Sequence, residues 1–367
     1  AGGSVADVDR WTADGLPYAE VLLPLVRAAE AALDQRLGEG WLDLVALPAR
    51  EAWARQLARE LAGVAQLALH QRFEALRQAN AGAGPGTTDG ESGPDLYQYF
   101  VLSLLHQGLP AFFEELPVLA RHLAVVVGRH VDNVERLVHR LVADQAAISQ
   151  VLAGGQPVTP IQDVAPALSD PHDGRQRVAV LTCAGGLRVV YKPRDVRMEL
   201  GFSRVLDALA ARGCASVPRG IDVVARDGYG WESFAEPQAL ASTGEVRAYY
   251  RKAGGLLCVA WLLGGRDLHM ENVVATAQGP VLVDLEALFA PGDARPGGER
   301  PTGAETGVGQ APTPPSSCLQ TGLLTYVSGG PDTPLQEVGG LRGRAAGTST
   351  LARRVWRQLR TRDLHFV

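Results

Sequence analysis

The sequence predicts an α+β fold, with a helical N-terminal region followed by a two-lobed catalytic core, and three observations lead to it. Apolar residues recur at helical spacing through much of the first 157 residues. From about residue 158 the texture shifts to short β-branched runs punctuated by glycine. Acidic and amide residues then fall at the ends of short apolar segments, where they can converge on one site. The expected organisation is a helical region over 1–157, an N-lobe with a small antiparallel sheet over 158–238, and a catalytic loop, hairpin and partial C-lobe over 239–367.

Residues 18–37 place Val21, Leu22, Leu25, Val26, Ala29, Ala32 and Leu33 on one face. A second helix is expected over 48–77, and 79–93, rich in Gly, Pro, Thr and Ser, as a loop. Helices resume over 96–152, interrupted at Pro110 and Pro117, since proline lacks the amide donor and clashes with the preceding turn. Strands are expected over 177–181 and 187–192 around Ala184-Gly185-Gly186, then a helix over 198–212. Further strands are expected over 217–224 and 229–234, then a helix over 244–263. A second hairpin joins 273–275 to 281–283, and 291–317 is too poor in apolar residues to order itself. Structure is expected again over 319–327, and a helix over 350–359.

Composition excludes several classes. The chain has 367 residues, 46% hydrophobic and 20% charged, with a formal net charge of −5. There is no overall basic field for nucleic acid. No apolar run is long enough to span a bilayer, and no basic segment leads into an apolar core as a signal peptide would. The expectation is a soluble cytoplasmic protein. Cys183, Cys214, Cys258 and Cys318 form no Cys-x-x-Cys pair. All but Cys318 sit in apolar surroundings, and they are expected as buried thiols in a reducing compartment.

The chemistry centres on Arg266-Asp267-Leu268-His269-Met270-Glu271-Asn272, followed by Asp284-Leu285-Glu286. An aspartate, an asparagine five positions on, and an aspartate at the end of the next strand are how kinase-type folds place a base and two metal ligands. Asp267 is the candidate base; Asn272 and Asp284 offer the hard oxygens that Mg²⁺ prefers. His269 could bond a phosphate oxygen or brace Asp267. Glu286 could bind metal, hold a lysine or cap a turn. Upstream, Lys192 ends the run Val189-Val190-Tyr191. Its charge needs nucleotide phosphates or another counter-charge, unless it snorkels to water from an edge strand that Pro193 terminates. Glu199, on the next helix, could pair with it. Asp170 and His172 lie in Ser169-Asp170-Pro171-His172-Asp173-Gly174, a turn by propensity. Neither Gly-x-Gly-x-x-Gly nor a Walker-type loop is present in phosphate-binding context.

Taken together, these blocks resemble the dehydratase domain of class II lanthipeptide synthetases, the LanM family. The resemblance rests on Asp170-Pro171-His172, Tyr191-Lys192-Pro193-Arg194, Gly230-Trp231-Glu232, the Asp267 to Asn272 block, Asp284-Leu285-Glu286 and Ser317 to Leu324, in that order over about 160–330. It implies a lipid-kinase-like core that uses ATP and Mg²⁺ to phosphorylate Ser and Thr of a ribosomal precursor peptide carrying a leader. The phosphate is then eliminated to leave dehydro-amino acids. By the resemblance, Lys192 contacts ATP phosphates, Asp267 is the base, Asn272 and Asp284 hold Mg²⁺, and His269, Glu286, Asp170 and His172 fill active-site positions. Arg194 is a second cation near the site, and Thr321 lies in the elimination loop. There the chain has Gln320 where an arginine is expected and Thr325 where a proline is expected. No Cys-His-Gly zinc motif of a cyclase is present, and the C-lobe is expected to be incomplete. Ring formation would fall to a separate cyclase or synthetase. The rival expectations are phosphorylation of another hydroxyl without elimination, and a non-catalytic module that binds a peptide or partner.

Overall fold

The computed structural model describes residues 16–81, 96–166, 176–289, 317–328, 336–341, 356–357 and 365–366. The loop expected over 291–317 lies outside these residues except for Ser317. The chain forms two compact units, one of residues 1–149, 156–187 and 349–367, the other of 150–155 and 188–348.

The first unit is built on α1 (Ala19–Leu37), the short α2 (Trp41–Leu44) and the long α3 (Leu47–Ala81). After α4 (Leu96–Ser103), a π-turn over Leu104–Gly108 leads into α5 (Leu109–Glu115) and α6 (Pro117–Leu152). The expected break at Pro117 is present. Proline opens α6 at its first position, where a missing N–H costs nothing. Pro110 also sits in the first turn of α5. Tyr18, Phe73, Tyr97 and Phe100 form an aromatic cluster that joins the start of α1 to α3 and α4, with ring centroids 5.4 to 6.4 Å apart. Arg36 bonds Asp132 at 2.7 Å and Glu135 at 3.0 Å, tying α1 to α6. Two strands pair antiparallel in this unit: β1 (Ile161–Ala165) and β2 (Ala179–Cys183). Sequence reading missed β1, because only Ile161 and Val164 face inward and the alternation is broken by a bulge. The turn after β2 runs through Gly185 and Gly186 at φ 81° and 85°, a region open to glycine, and Cys183 N–H donates across it to Leu187 O.

The second unit carries β3 (Arg188–Lys192), α7 (Arg197–Ala211), β4 (Val223–Arg226), β5 (Tyr229–Ser233) and α8 (Thr243–Leu262). β5 lies between β3 and β4, antiparallel to both, with Lys192 opposite Gly230. The strand expected over 217–224 begins only at Val223. Pro218 and Gly220 precede it, and Gly220 lies so close to Ser203 of α7 that an added Cβ would fall within 2.6 Å of its Cβ. A capping box opens α8, with Ser242 accepting from Glu245 N and Glu245 accepting from Ser242 N. The hairpin β6 (Val273–Thr276) and β7 (Gly279–Leu282) follows. A 3₁₀ turn over Cys318–Thr321 precedes the pair β8 (Tyr326–Ser328) and β9 (Gln336–Val338). The core of this unit gathers Phe202, Leu206, Leu256, Leu268, Leu285 and Leu323.

Two further expectations change. Cys183 is buried as expected, but Cys214 and Cys258 are exposed. Cys214 follows the end of α7, and Cys258 lies on the outer stripe of α8 while Leu256, Val259 and Ala260 turn inward. Within the stretch expected to be helical over 350–359, Trp356–Arg357 (β10) instead pairs antiparallel with His365–Phe366 (β11). Among the described residues no helix is long and apolar enough to cross a membrane.

Candidate functional site

The site lies in the second unit, where apolar neighbours fix charged residues in place. Leu268 and Leu285 are each 1% exposed. They anchor the segments bearing Asp267 and Asp284, so the adjacent carboxylates are presented by rigid backbone rather than by loose loops.

Lys192 is the hub. It ends β3 but does not snorkel to water; it is buried, as are Glu199 on α7 and Glu232 on β5. Its ammonium meets Glu199 Oε1 at 3.2 Å, Glu232 Oε2 at 3.0 Å and the carbonyl oxygen of Val283 at 2.6 Å. Arg194 extends the network, reaching Glu199 at 2.7 Å, Asp284 Oδ1 at 3.0 Å and Glu286 at 2.5 Å. Two cations thus face four carboxylates, an excess of negative charge suited to a further cation. Burial alone would weaken the charged form of Arg194, but Glu199, Asp284 and Glu286 outweigh it and hold the guanidinium above its usual range. Glu232 is also raised, but for a carboxyl that disfavours the charged form. Burial raises its carboxyl most, Lys192 pulls it back, Glu199 adds to the rise, and the result is pushed up to about 7.

Sequence reasoning places Glu232 only within the block Gly230-Trp231-Glu232 and assigns it no role. The available signal was a carboxylate in the middle of a strand, between Trp231 and Ser233, where a buried charge demands a partner.

The second half of the site is the loop after α8. Asp267 has φ 57°, a left-handed conformation that aspartate tolerates better than most residues, and its side chain is 75% exposed. His269 Nε2 lies 3.8 Å from Asp267 Oδ1. His269 Nδ1 accepts from Glu271 N–H at 3.2 Å, which puts the proton of a neutral ring on Nε2, toward Asp267. Asn272 Nδ2 donates to Asp267 O at 2.8 Å, leaving its amide oxygen for another partner. Val283 N–H donates to Asn272 O at 3.0 Å, which ties this loop to the segment carrying Asp284. β7 ends at Leu282, so Asp284 stands two residues beyond the strand rather than closing it.

Thr321 does not present its hydroxyl to the loop. It is 1% exposed, donates to Cys318 O at 2.7 Å and accepts from Leu323 N–H at 3.2 Å. Its carbonyl accepts from Leu268 N–H at 2.9 Å and so holds the residue after Asp267. Asp170 and His172 lie outside the described residues.

The donor set fits a hard divalent cation. Among the described residues both hydrogen bonds to Asp284 fall on Oδ1, from Arg194 and from Glu286 N–H at 3.3 Å, which leaves Oδ2 for a ligand. Asn272 supplies a neutral oxygen nearby in the chain. Among the described residues no three His, Cys, Asp or Glu side chains converge as a metal cage.

The two units define an α+β protein with a buried lysine–carboxylate cluster beside an exposed acidic loop. Residues 116–367 match the family described as Domain of unknown function (DUF4135). The chain belongs to that family, a domain found in LanM-type lanthipeptide synthetases, and is a LanM-family protein. It is also 30% identical over 128 residues to the lacticin 481/lactococcin biosynthesis protein LcnDR2 of Lactococcus lactis subsp. lactis. That match covers 33% of this chain and 14% of the relative.

Proposed function

We propose that this chain is a lanthipeptide dehydratase-type enzyme, which uses ATP and Mg²⁺ to phosphorylate Ser and Thr of a ribosomal precursor peptide and then eliminates the phosphate. The family relationship supports lanthipeptide biosynthesis. The observation that carries the phosphoryl-transfer reading is the joined pair of elements just described: the Lys192 cluster and the Asp267 loop, linked by the Asn272–Val283 bond. The lipid-kinase-like arrangement of lobes belongs to the same proposal.

In this reading Lys192 binds nucleotide phosphate oxygens, and Glu199 holds the lysine in place. Asn272 and Asp284 are the residues that would hold Mg²⁺, with Glu286 beside them; the ion supplies neutralisation of phosphate charge. Arg194 orients Asp284 by fixing Oδ1. Asp267 accepts the proton of the peptide hydroxyl as its oxygen attacks, a task that needs an exposed carboxylate within hydrogen-bond reach of the acceptor. His269 steadies that carboxylate from Nε2.

Elimination requires removal of an α-proton and stabilisation of the departing phosphate. Two observations favour a second reading, phosphorylation without elimination. The Thr321 hydroxyl is buried and satisfied within its own turn, and Gln320 replaces the expected arginine. Product mass separates the readings. The purified chain, a Ser/Thr-rich precursor peptide with its leader, ATP and Mg²⁺ are incubated together. Peptide that has lost the elements of water supports the full reaction. Peptide that retains added phosphoryl groups supports transfer alone. Unmodified peptide with a folded enzyme contradicts both.

A further inference from the structure

The Lys192 ammonium has three protons, and the protein engages all three through Glu199, Glu232 and Val283 O. A nucleotide phosphate can therefore bond Lys192 only if one of these acceptors lets go. Val283 O belongs to backbone held by the Val283–Asn272 hydrogen bond. Glu199 is fully buried and also gripped by Arg194 at 2.7 Å. Glu232 is held less firmly. Val190 of β3 and Val223 of β4 are its direct cross-strand neighbours, so neither gives it a donor there. The charged groups acting on it are Lys192 from β3, Glu199 from α7 and Arg194 from the segment between them. Among the described residues its Oε1 is buried without a hydrogen-bond partner, as is Glu199 Oε2, but Glu199 has Arg194 as a second cation on Oε1 whereas Lys192 is the cation that Glu232 meets.

We propose that Glu232 is a positioning residue for nucleotide binding, which clamps Lys192 before phosphate arrives and gives up its share of the ammonium when phosphate takes that proton. The inference rests on the reading of Lys192 as a phosphate ligand. A carboxylate left unpaired in so buried a place is costly, so Glu232 takes up one proton from solvent as the N–H turns from its Oε2 to a phosphate oxygen. No covalent bond to phosphorus changes in this step, and charge balances by the proton taken up. The carboxyl already sits near neutrality, at about 7, so the proton is available in the physiological range. The consequence is proton-linked nucleotide affinity, with binding weakening as pH rises through that value.

The test is the Kd of the full chain for the Mg²⁺ complex of a non-hydrolysable ATP analogue, at pH 6 and pH 8, for the unsubstituted protein, Glu232→Gln, Glu232→Asp and Lys192→Met. One pH unit above a pKa near 7, a full proton uptake weakens binding by about tenfold. The unsubstituted protein should show that loss between pH 6 and pH 8, beyond any change the analogue shows with Glu232→Gln. Glu232→Gln, which keeps an acceptor but cannot titrate, should bind about tenfold more tightly than the unsubstituted protein at pH 8 and equally at pH 6. Glu232→Asp should keep the pH dependence and carries the test if the glutamine variant does not fold. A Glu232→Gln profile parallel to that of the unsubstituted protein overturns the proposal, as does weakening by the same factor at both pH values, which marks a merely structural role. A flat profile for a folded Glu232→Asp also overturns it. Analogue binding that depends on Lys192 keeps the parent reading whatever Glu232 does. No binding by the unsubstituted protein removes the parent reading and this inference with it.

Discussion

Replacing Lys192 with methionine removes the cation shared by two buried carboxylates. The Lys192, Glu199 and Glu232 side chains are 4%, 0% and 3% exposed, so water cannot take over the lost contacts. Glu199 keeps Arg194 at 2.7 Å, and the deficit falls on Glu232. Breaking a buried ion pair by removing one partner costs about 3–5 kcal/mol. Glu232 can limit that cost by protonating. Its folded-state carboxyl already lies at about 7, above the ordinary 4.5, and the loss of Lys192 removes the main influence holding it down. A raised folded pKa means stability present at low pH and lost as pH rises through that pKa. Urea unfolding should therefore show a loss of about 3–5 kcal/mol at pH 8 and a smaller one at pH 6. The double variant Lys192→Met/Glu232→Gln should recover part of the pH 8 loss, with a coupling of about 2–3 kcal/mol in the double-mutant cycle. Equal losses at both pH values, with strictly additive variants, would refute the reasoning that these groups form one buried electrostatic unit.

Three further outcomes follow from the same geometry. Asp267→Asn should fold, because asparagine also tolerates φ 57°, and should bind Mg-nucleotide while losing peptide phosphorylation by at least about 100-fold; full phosphopeptide yield measured by mass spectrometry would remove Asp267 from its role. The adjacent glycines of α8 should part company. Gly255→Ala drives a Cβ into the Ser216 carbonyl and should cost about 1–3 kcal/mol, whereas Gly254→Ala meets open space and should gain up to about 1 kcal/mol in thermal or urea unfolding. Ser242→Ala opens the α8 capping box and should cost about 1 kcal/mol by the same assays, with no change in nucleotide affinity.

The helices were the most legible part of the sequence, because their periodicity is long and Pro117 marks a limit, although Pro24 lies inside α1. Val21, Leu22, Val26 and Leu33 are buried as the spacing predicts, and Pro117 opens α6. The hairpin of β6 and β7 was legible from two β-branched runs around Gln278-Gly279. β1 was not, since a five-residue strand with a bulge leaves too short an alternation to read. The cysteines show a different limit. Apolar sequence neighbours say nothing about which face of α8 Cys258 takes, and helical phase puts it outward. In the site, Lys192, Glu199, Asp267, Asn272 and Asp284 could be singled out as chemistry-bearing residues in order along the chain. What order could not reveal is partnership. Glu232 lies 40 residues beyond Lys192, yet β3–β5 pairing brings their side chains to 3.0 Å. Nor could it show that the Thr321 hydroxyl turns into its own 3₁₀ turn.

The central claim is a working Mg-nucleotide site, and the thermal unfolding midpoint of the full chain with and without Mg-ATP, beside Asp284→Asn, tests it most directly. A ligand that binds only the folded state stabilises by about 2.7 kcal/mol at one hundred times its Kd. The account predicts a magnesium-dependent rise in the midpoint that Asp284→Asn abolishes while remaining folded. An unchanged midpoint in the well-folded unsubstituted protein, at saturating Mg-ATP, would contradict it.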